Sequence, residues 1–380
     1  MKTAFETYLE QQTEEAWAAA LATLLRAVHE VDRNATQIWF AFYPLSLHRA
    51  LQETDDREKL VRELLLQGDY ELKAQIDSSH HFLYGHRFWP QVKRAVEQHA
   101  EGVGGGVLGV EQPTAQATND TSARTPSEAP FQRPTPNTLR PGSSLADQIL
   151  AVARTVAGEL KKDESLLVGI TAVAFMTVRQ VGLEAFKAAP GTLAIDKKHV
   201  KQSPEHILHE RAKDDSQGWL GFLKTVDKQW TITWDENDNG AKYKLREAQD
   251  LAWGAAEDHS RDWSAIDPRR IEGPIPVECR SASCGTCWVG VLGGAEKLSD
   301  VAAREGKKIK EFGYIDTAEP KPLVRLACQA QASGAVSIVI PPWNGQFGKY
   351  LKQSKQTGDA TLGQQDARSE SANASRNVVN

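Results

Sequence analysis

Sulfur is scarce in this chain. Its 380 residues hold four cysteines and two methionines. So few thiols cannot staple a small secreted scaffold, which excludes a disulfide framework. An excess of positive charge is also missing, since the formal net charge is −5. That excludes a general binder of nucleic acid or of acidic membrane surfaces. Long apolar runs are missing as well. The most apolar window, "LLVGITAVAFMTV" from Leu166 to Val178, is too short to cross a bilayer and runs straight into Arg179. It predicts a buried helix, with a contact on one membrane face as the alternative. The opening "MKTAFETYLEQQTEEAWAAA" has acids where a signal peptide needs basic and then apolar residues. Together these features predict a soluble cytoplasmic protein with no transmembrane segment and no nucleic-acid partner.

Several cofactor motifs are absent too. There is no C-x-x-C-H haem attachment, no H-E-x-x-H zinc motif, no Rieske pair and no phosphate-binding G-x-x-x-x-G-K-[ST] loop. The histidines His80, His81 and His86 in "HHFLYGH", and the pair His206 and His209, read as core or surface residues rather than metal ligands.

The apolar fraction of 40% and charged fraction of 25% are those of an ordinary globular chain long enough for about two domains. Residues 1–101 predict a small helical domain. One helix over 3–31 opens on a Thr3–Glu6 capping box and carries Trp17, Leu21, Leu24, Val28 and Val31 on one face. The aromatic run "QIWFAFYP" (37–44) follows. A helix over "DDREKLVRELLLQGD" comes next, then a helical piece over "HHFLYGHRFWPQVKRAVEQHA" broken at Gly85 or Pro90. Residues 102–143 hold six of the 17 prolines and few large apolar side chains. They predict a disordered linker that lets the parts on either side reach different surfaces. Residues 144–226 predict a helical region: a helix capped by Ser144 and Asp147, a second from the apolar run through "RQVGLEAF", and a third starting at Ser203-Pro204.

From about residue 227 the pattern becomes mixed. "QWTITW", the turn "DENDNG" and "AKYKL" predict a hairpin. "REAQDLAWGAAEDH" predicts a short helix with Ala248, Leu251, Ala252 and Ala255 on one side. "CWVGVLGG", "LVRLACQ" and "AVSIVIPP" predict further strands up to about residue 352. The polar tail 353–380 predicts disorder.

Three of the four cysteines fall within "VECRSASCGTCWVG". Cys279, Cys284 and Cys287 have the spacing C-x4-C-x2-C, and Cys328 follows after a further 40 residues. Four thiolates suit zinc or an iron–sulfur cluster. Zinc sites bring ligands as two close pairs in sequence, whereas a three-plus-one split matches the plant-type [2Fe–2S] arrangement. The small residues between the ligands, Arg280 apart, keep the backbone close to the sulfurs. Ser281, Ala282, Ser283, Gly285 and Thr286, with Arg280, are therefore the candidate cofactor-binding positions, through backbone N–H groups that stabilise negative charge.

Residues 229–345 resemble a plant-type [2Fe–2S] ferredoxin domain, a β-grasp fold, in the order hairpin, helix, "CRSASCGTC", strand, "RLACQ", strand. The fold class expected is thus α+β, a C-terminal β-grasp domain preceded by mostly helical regions. The resemblance implies a [2Fe–2S] cluster, with Cys279 and Cys284 on the outer iron and Cys287 and Cys328 on the inner one. It also implies one-electron transfer with donor and acceptor redox partner proteins. Two departures stand out. Ala282 occupies a position where the family often has glycine. The stretch before Cys328 is longer than usual, the added material being "SDVAAREGKKIKEFGYIDTAEPKP", which reads as a charged docking feature. Residues 229–352 carry 17 acids and 16 bases, so strong electrostatic steering is not expected.

The expectation is an electron carrier or redox subunit rather than a stand-alone enzyme, with the helical part docking or tethering the cluster domain. The alternative is the iron–sulfur subunit of a multi-component oxidoreductase whose helical region carries another cofactor or completes a partner's active site. A cluster-based redox sensor is a third possibility.

Overall fold

The computed structural model describes residues 2–42, 80–102, 143–189, 191, 195–213, 228–266, 270–312 and 321–340. The expected helix over "DDREKLVRELLLQGD", the linker and the C-terminal tail fall outside the described residues. Helices and strands are numbered here in chain order among the described elements.

The helical part opens with α1 (Ala4–Gln11), α2 (Glu14–Leu24) and α3 (Glu30–Phe42). Where the periodicity predicted one helix over 3–31, the chain breaks twice. Thr13 supplies the first break, because its hydroxyl accepts the Ala16 N–H and starts a new helix. The predicted stripe survives the breaks: Trp17, Leu21, Leu24, Val28 and Val31 are all buried. The Thr3–Glu6 capping box forms as the sequence indicated. A 3₁₀ turn (Tyr84–Phe88) leads into α4 (Trp89–Gly102), with Pro90 in the first turn where its missing N–H costs nothing.

Next come α5 (Leu145–Leu160), opened by the Ser144–Asp147 box, and α6 (Ser165–Val181). Every residue from Leu166 to Gln180 in α6 is buried, because α1, α3, α4, α5 and the 3₁₀ turn surround it. A helix apolar on all sides is here covered by protein on all sides. No described helix is long and apolar enough to cross a membrane. Gly182, at φ +83°, ends α6, so the predicted continuation forms the separate α7 (Leu183–Ala188). The short α8 (Lys197–Val200) and then α9 (Pro204–Ala212), capped by Ser203, complete this part. Helices α4 and α5 lie on opposite sides of the proline-rich segment, yet they pack on each other. The expectation that this segment sends its two flanks to different surfaces is thereby corrected. The apolar faces of both flanks find burial in one bundle.

The remainder is a five-stranded mixed sheet in the order β2-β1-β5-β3-β4. Its strands are β1 (Gln229–Thr233), β2 (Lys242–Arg246), β3 (Trp288–Gly293), β4 (Val324–Leu326) and β5 (Val336–Val339). β1 pairs antiparallel with β2 and parallel with β5, and β3 pairs antiparallel with β4 and β5. Helix α10 (Leu251–Ala256) packs on β2 and is followed by α11 (Trp263–Ile266). Ala248 is not part of α10. It sits at φ +57°, and the helix begins only after Asp250 caps the Trp253 N–H. This is the β-grasp plan within an α+β chain.

One continuous apolar core runs through the helices and the sheet. Helix α3 joins them. Ile38 meets Gly290 of β3, where an added Cβ would fall 2.4 Å from the Ile38 Cγ2. The Asn34 side chain donates to the Leu292 carbonyl at 3.1 Å. Arg211 of α9 donates to both Glu236 carboxylate oxygens at 2.8 Å and to the Val31 carbonyl. Ser337 of β5 donates to the same Glu236. Buried, bidentate and fully satisfied, this pair fixes the register of helices on sheet.

The histidines of "HHFLYGH" are partly core residues. His80 and His86 are buried, with their Nδ1 atoms 2.8 Å apart. Burial, and then the neighbouring histidines, hold His80 well below its ordinary range and bring His86 down to about 3. Both are therefore neutral in the folded chain but protonate in the unfolded chain near pH 6.5. The unfolded state binds more protons as pH falls through 6.5, so stability drops on that side. Lowering the pH from 7 to 5.5 should cost about 2 kcal/mol, read from urea unfolding at the two pH values. His80→Phe together with His86→Leu should flatten that dependence.

Candidate metal centre

The four cysteines lie around the start of β3, three in the loop that leads into it and Cys328 just past its neighbour β4. The loop 279–287 follows a series of bends and delivers Cys287 directly to Trp288, the first residue of β3. β4 pairs with β3 in the register Trp288–Leu326, which brings Cys328, two residues beyond Leu326, alongside. The Ala327 N–H donates to the Cys287 carbonyl at 2.9 Å and fastens the two cysteine-bearing segments. Cys287 and Cys328 are buried, whereas Cys279 and Cys284 are half-buried, and all four are free thiols.

The loop is shaped by left-handed backbone. Arg280 lies at φ +48°, Ala282 at +58° and Gly285 at +70°. Ala282 thus holds a left-handed conformation that suits glycine better, at a cost of about 1 kcal/mol. These turns aim N–H groups inward. Ser281, Ser283 and Cys284 donate to the Cys279 Sγ at 3.5, 3.4 and 3.3 Å. Thr286 donates to the Cys284 Sγ at 3.4 Å. The Gln329 amide donates to the Cys328 Sγ at 3.5 Å. Ala282→Val should lose the loop, because a branched, buried side chain at φ +58° is sterically excluded. Loss of visible absorption in an otherwise folded variant checks it.

The electrostatics follow from these donors. Burial alone would push the Cys279 thiol up, but the hydrogen bonds from Ser283, Ser281 and Cys284 bring it down to about 5. Burial raises Cys284 against the pull of Thr286. Cys287 and Cys328 share a hydrogen bond that raises the first and lowers the second. A backbone hydrogen bond at Ala282 also favours the Cys328 thiolate.

Cys279 bonds with Cys284 and Cys287 with Cys328, and charge also acts across the pairs, from Cys284 on Cys287 and from Cys279 on Cys328. A [2Fe–2S] cluster takes two thiolates per iron, and a two-plus-two donor set with inward N–H groups fits it.

Of the candidate backbone positions, Ser281, Ser283 and Thr286 donate to sulfur, and Ala282 bonds to Cys328. Gly285 supplies the turn. The Arg280 side chain points away, to an ion pair with Glu272 and over the Trp253 ring at 5.2 Å. Trp288 is buried beside Cys287.

Two contributors were not singled out from the sequence. One is Gln329. The other is Glu305, on helix α12 (Ala303–Phe312) within the added stretch before Cys328. Its carboxylate is fully buried, receives Arg325 at 2.8 and 3.0 Å and accepts the Leu326 N–H at 2.9 Å. Arg325 also donates to the Ser299 carbonyl. The added stretch is therefore anchored into the strand that carries Cys328. Gln329 had a signal, its place next to Cys328. Glu305 had none, being one acid among many charges.

Residues 266–333 match the family described as 2Fe-2S iron-sulfur cluster binding domain. The match contains all four cysteines and helix α12. No solved structure matches the chain.

Proposed function

With residues 266–333 a domain that binds a [2Fe–2S] cluster, we propose that the protein carries single electrons between redox partner proteins, and that Cys279, Cys284, Cys287 and Cys328 are the ligands. The observation that carries the reading is the two-plus-two arrangement of thiols lined by N–H donors. The cluster supplies a site that gains and loses one electron. The chain's own residues do the rest. Cys279 and Cys284 bring one side of that site towards solvent, while Cys287, Cys328, Trp288 and the strands exclude water from the other. The N–H groups of Ser281, Ser283, Cys284 and Thr286 stabilise negative charge on sulfur and so set the potential.

The helical part serves this role as a docking module that is itself seated on β3 through α3. It holds the cluster-bearing strand while leaving the cysteine loop open. The reading goes with a cytoplasmic location, where thiols remain reduced and available to metal.

An anaerobic redox titration of the purified protein tests the proposal. Visible absorption should bleach and recover in one reversible step with a one-electron Nernst slope. Absorption that does not respond to reductant would refute electron transfer.

A further inference from the structure

One donor to the cysteine sulfurs differs from the loop's own. Cys279 receives backbone N–H groups from Ser281, Ser283 and Cys284, and Cys284 receives one from Thr286. Such donors come with the course of the main chain. Gln329 instead reaches Cys328 with a side-chain amide, Nε2 to Sγ at 3.5 Å. The same Nε2 lies 2.6 Å from the Cys328 carbonyl oxygen. A side-chain amide nitrogen carries two N–H groups. The carbonyl takes one and fixes the amide's orientation, which leaves the other for sulfur.

The turn around Gln329 keeps its shape without this side chain. The Leu326 carbonyl accepts the N–H groups of Gln329 at 2.8 Å and of Ala330 at 3.0 Å. Two bonds tie the turn to α10: the Ala252 N–H to the Ala327 carbonyl and the Leu251 N–H to the Ala330 carbonyl, both at 3.0 Å. Ala327 and Ala330 are fully buried, whereas Gln329 is half-buried. Main-chain bonds thus hold the backbone, and the amide is held against a sulfur.

We propose that Gln329 is a potential-determining residue, whose side-chain N–H on the Cys328 sulfur favours the reduced state. This rests on the electron-transfer reading above and adds to that site a residue from outside its loop. Reduction adds one electron to the group that the thiolates hold, and part of the new charge falls on their sulfurs. A donor to sulfur therefore stabilises the reduced state more than the oxidised one and raises the potential. Only the electron moves: Gln329 forms no bond to metal and gives up no proton.

The test is a redox titration of the full-length holoprotein with dithionite as reductant, read from visible absorption. Gln329→Met keeps the side chain's length and removes the donor. It should shift the reduction equilibrium towards the oxidised form by roughly tenfold, which for one electron is about 59 mV. Gln331→Met removes an amide from an exposed position two residues on and should shift it less than about twofold. Both variants should keep the parental iron content. A second readout needs no substitution in the protein being measured. In reduced parent protein whose glutamines carry an isotopic label on the side-chain nitrogen, pulsed electron paramagnetic resonance should detect coupling to that nitrogen. Gln329→Met should lack it. A shift below about twofold in Gln329→Met, or a rise in its potential, overturns the proposal. So does an equal shift in Gln331→Met, which would trace the effect to surface polarity. Loss of iron from Gln329→Met overturns it as well, because the residue would then retain the group rather than tune it. Absence of the nitrogen coupling in the parent does the same. A parent protein with no reducible absorption would instead sink the electron-transfer reading itself.

Discussion

Cys328→Ser should lose most of its iron and its visible absorption while keeping its helical far-ultraviolet signal. Cys328 is the proposed ligand most distant in sequence, and its sulfur pairs with that of Cys287. A serine hydroxyl is too weak an acid to replace a thiolate, and metal binding is coupled to the deprotonation of its ligands. The fold should survive because Cys328 is a single small member of the large core that spans helices and sheet. His86→Ala is the matched control. It opens a buried pair in the helical part, so it should lower the melting temperature, yet leave the holoprotein's spectrum unchanged. Iron analysis and absorption of the two variants side by side check both halves of the expectation.

Glu305→Gln should be the most destabilising single change outside the cysteines, by about 3–5 kcal/mol. Arg325 is 1% exposed at its side chain and Glu305 is 0% exposed, so the guanidinium would be left buried without a counter-charge. The lost carboxylate also frees the Leu326 N–H, two residues before Cys328. Denaturant unfolding should show the loss, and iron should dissociate earlier in the titration. Replacing both partners, Glu305→Leu with Arg325→Met, should recover much of the stability, since no charge then stays buried. By contrast, Glu10→Gln at the exposed Lys2–Glu10 pair should change stability by less than about 0.5 kcal/mol, because solvent screens that interaction.

Much of this molecule is legible in the sequence where a local rule decides the outcome. Thr3–Glu6, Ser144–Asp147 and Ser203-Pro204 start helices where their side chains can cap them. The segment Asp235–Gly240 turns the first hairpin. The spacing of Cys279, Cys284 and Cys287 is a loop property, and the structure brings Cys328 beside it. Rules of this kind fail when a competing local feature is weak in the pattern. Thr13 is one polar residue in a long apolar periodicity, yet its hydroxyl divides the predicted helix.

Tertiary pairings are not legible in the same way. The stripe on α3 shows that Ile38 is buried, but not that it is buried against Gly290 of a strand some 250 residues away. Proline density marked the segment after α4 as a linker, but not that its two ends return to one bundle. Glu305 and Arg325 look like surface charges in sequence, because nothing local distinguishes a paired buried ion from a solvated one. The same holds for His80 and His86, whose contact depends on how the 3₁₀ turn folds back.

The central claim is that four thiols from two separated segments hold a two-iron, two-sulfide group. Iron and acid-labile sulfide assays on anaerobically purified protein, with electron paramagnetic resonance after reduction, test it most directly. The account predicts about two irons and two sulfides per chain and a spin-half signal in the reduced state. One zinc per chain with no sulfide and no signal would contradict it.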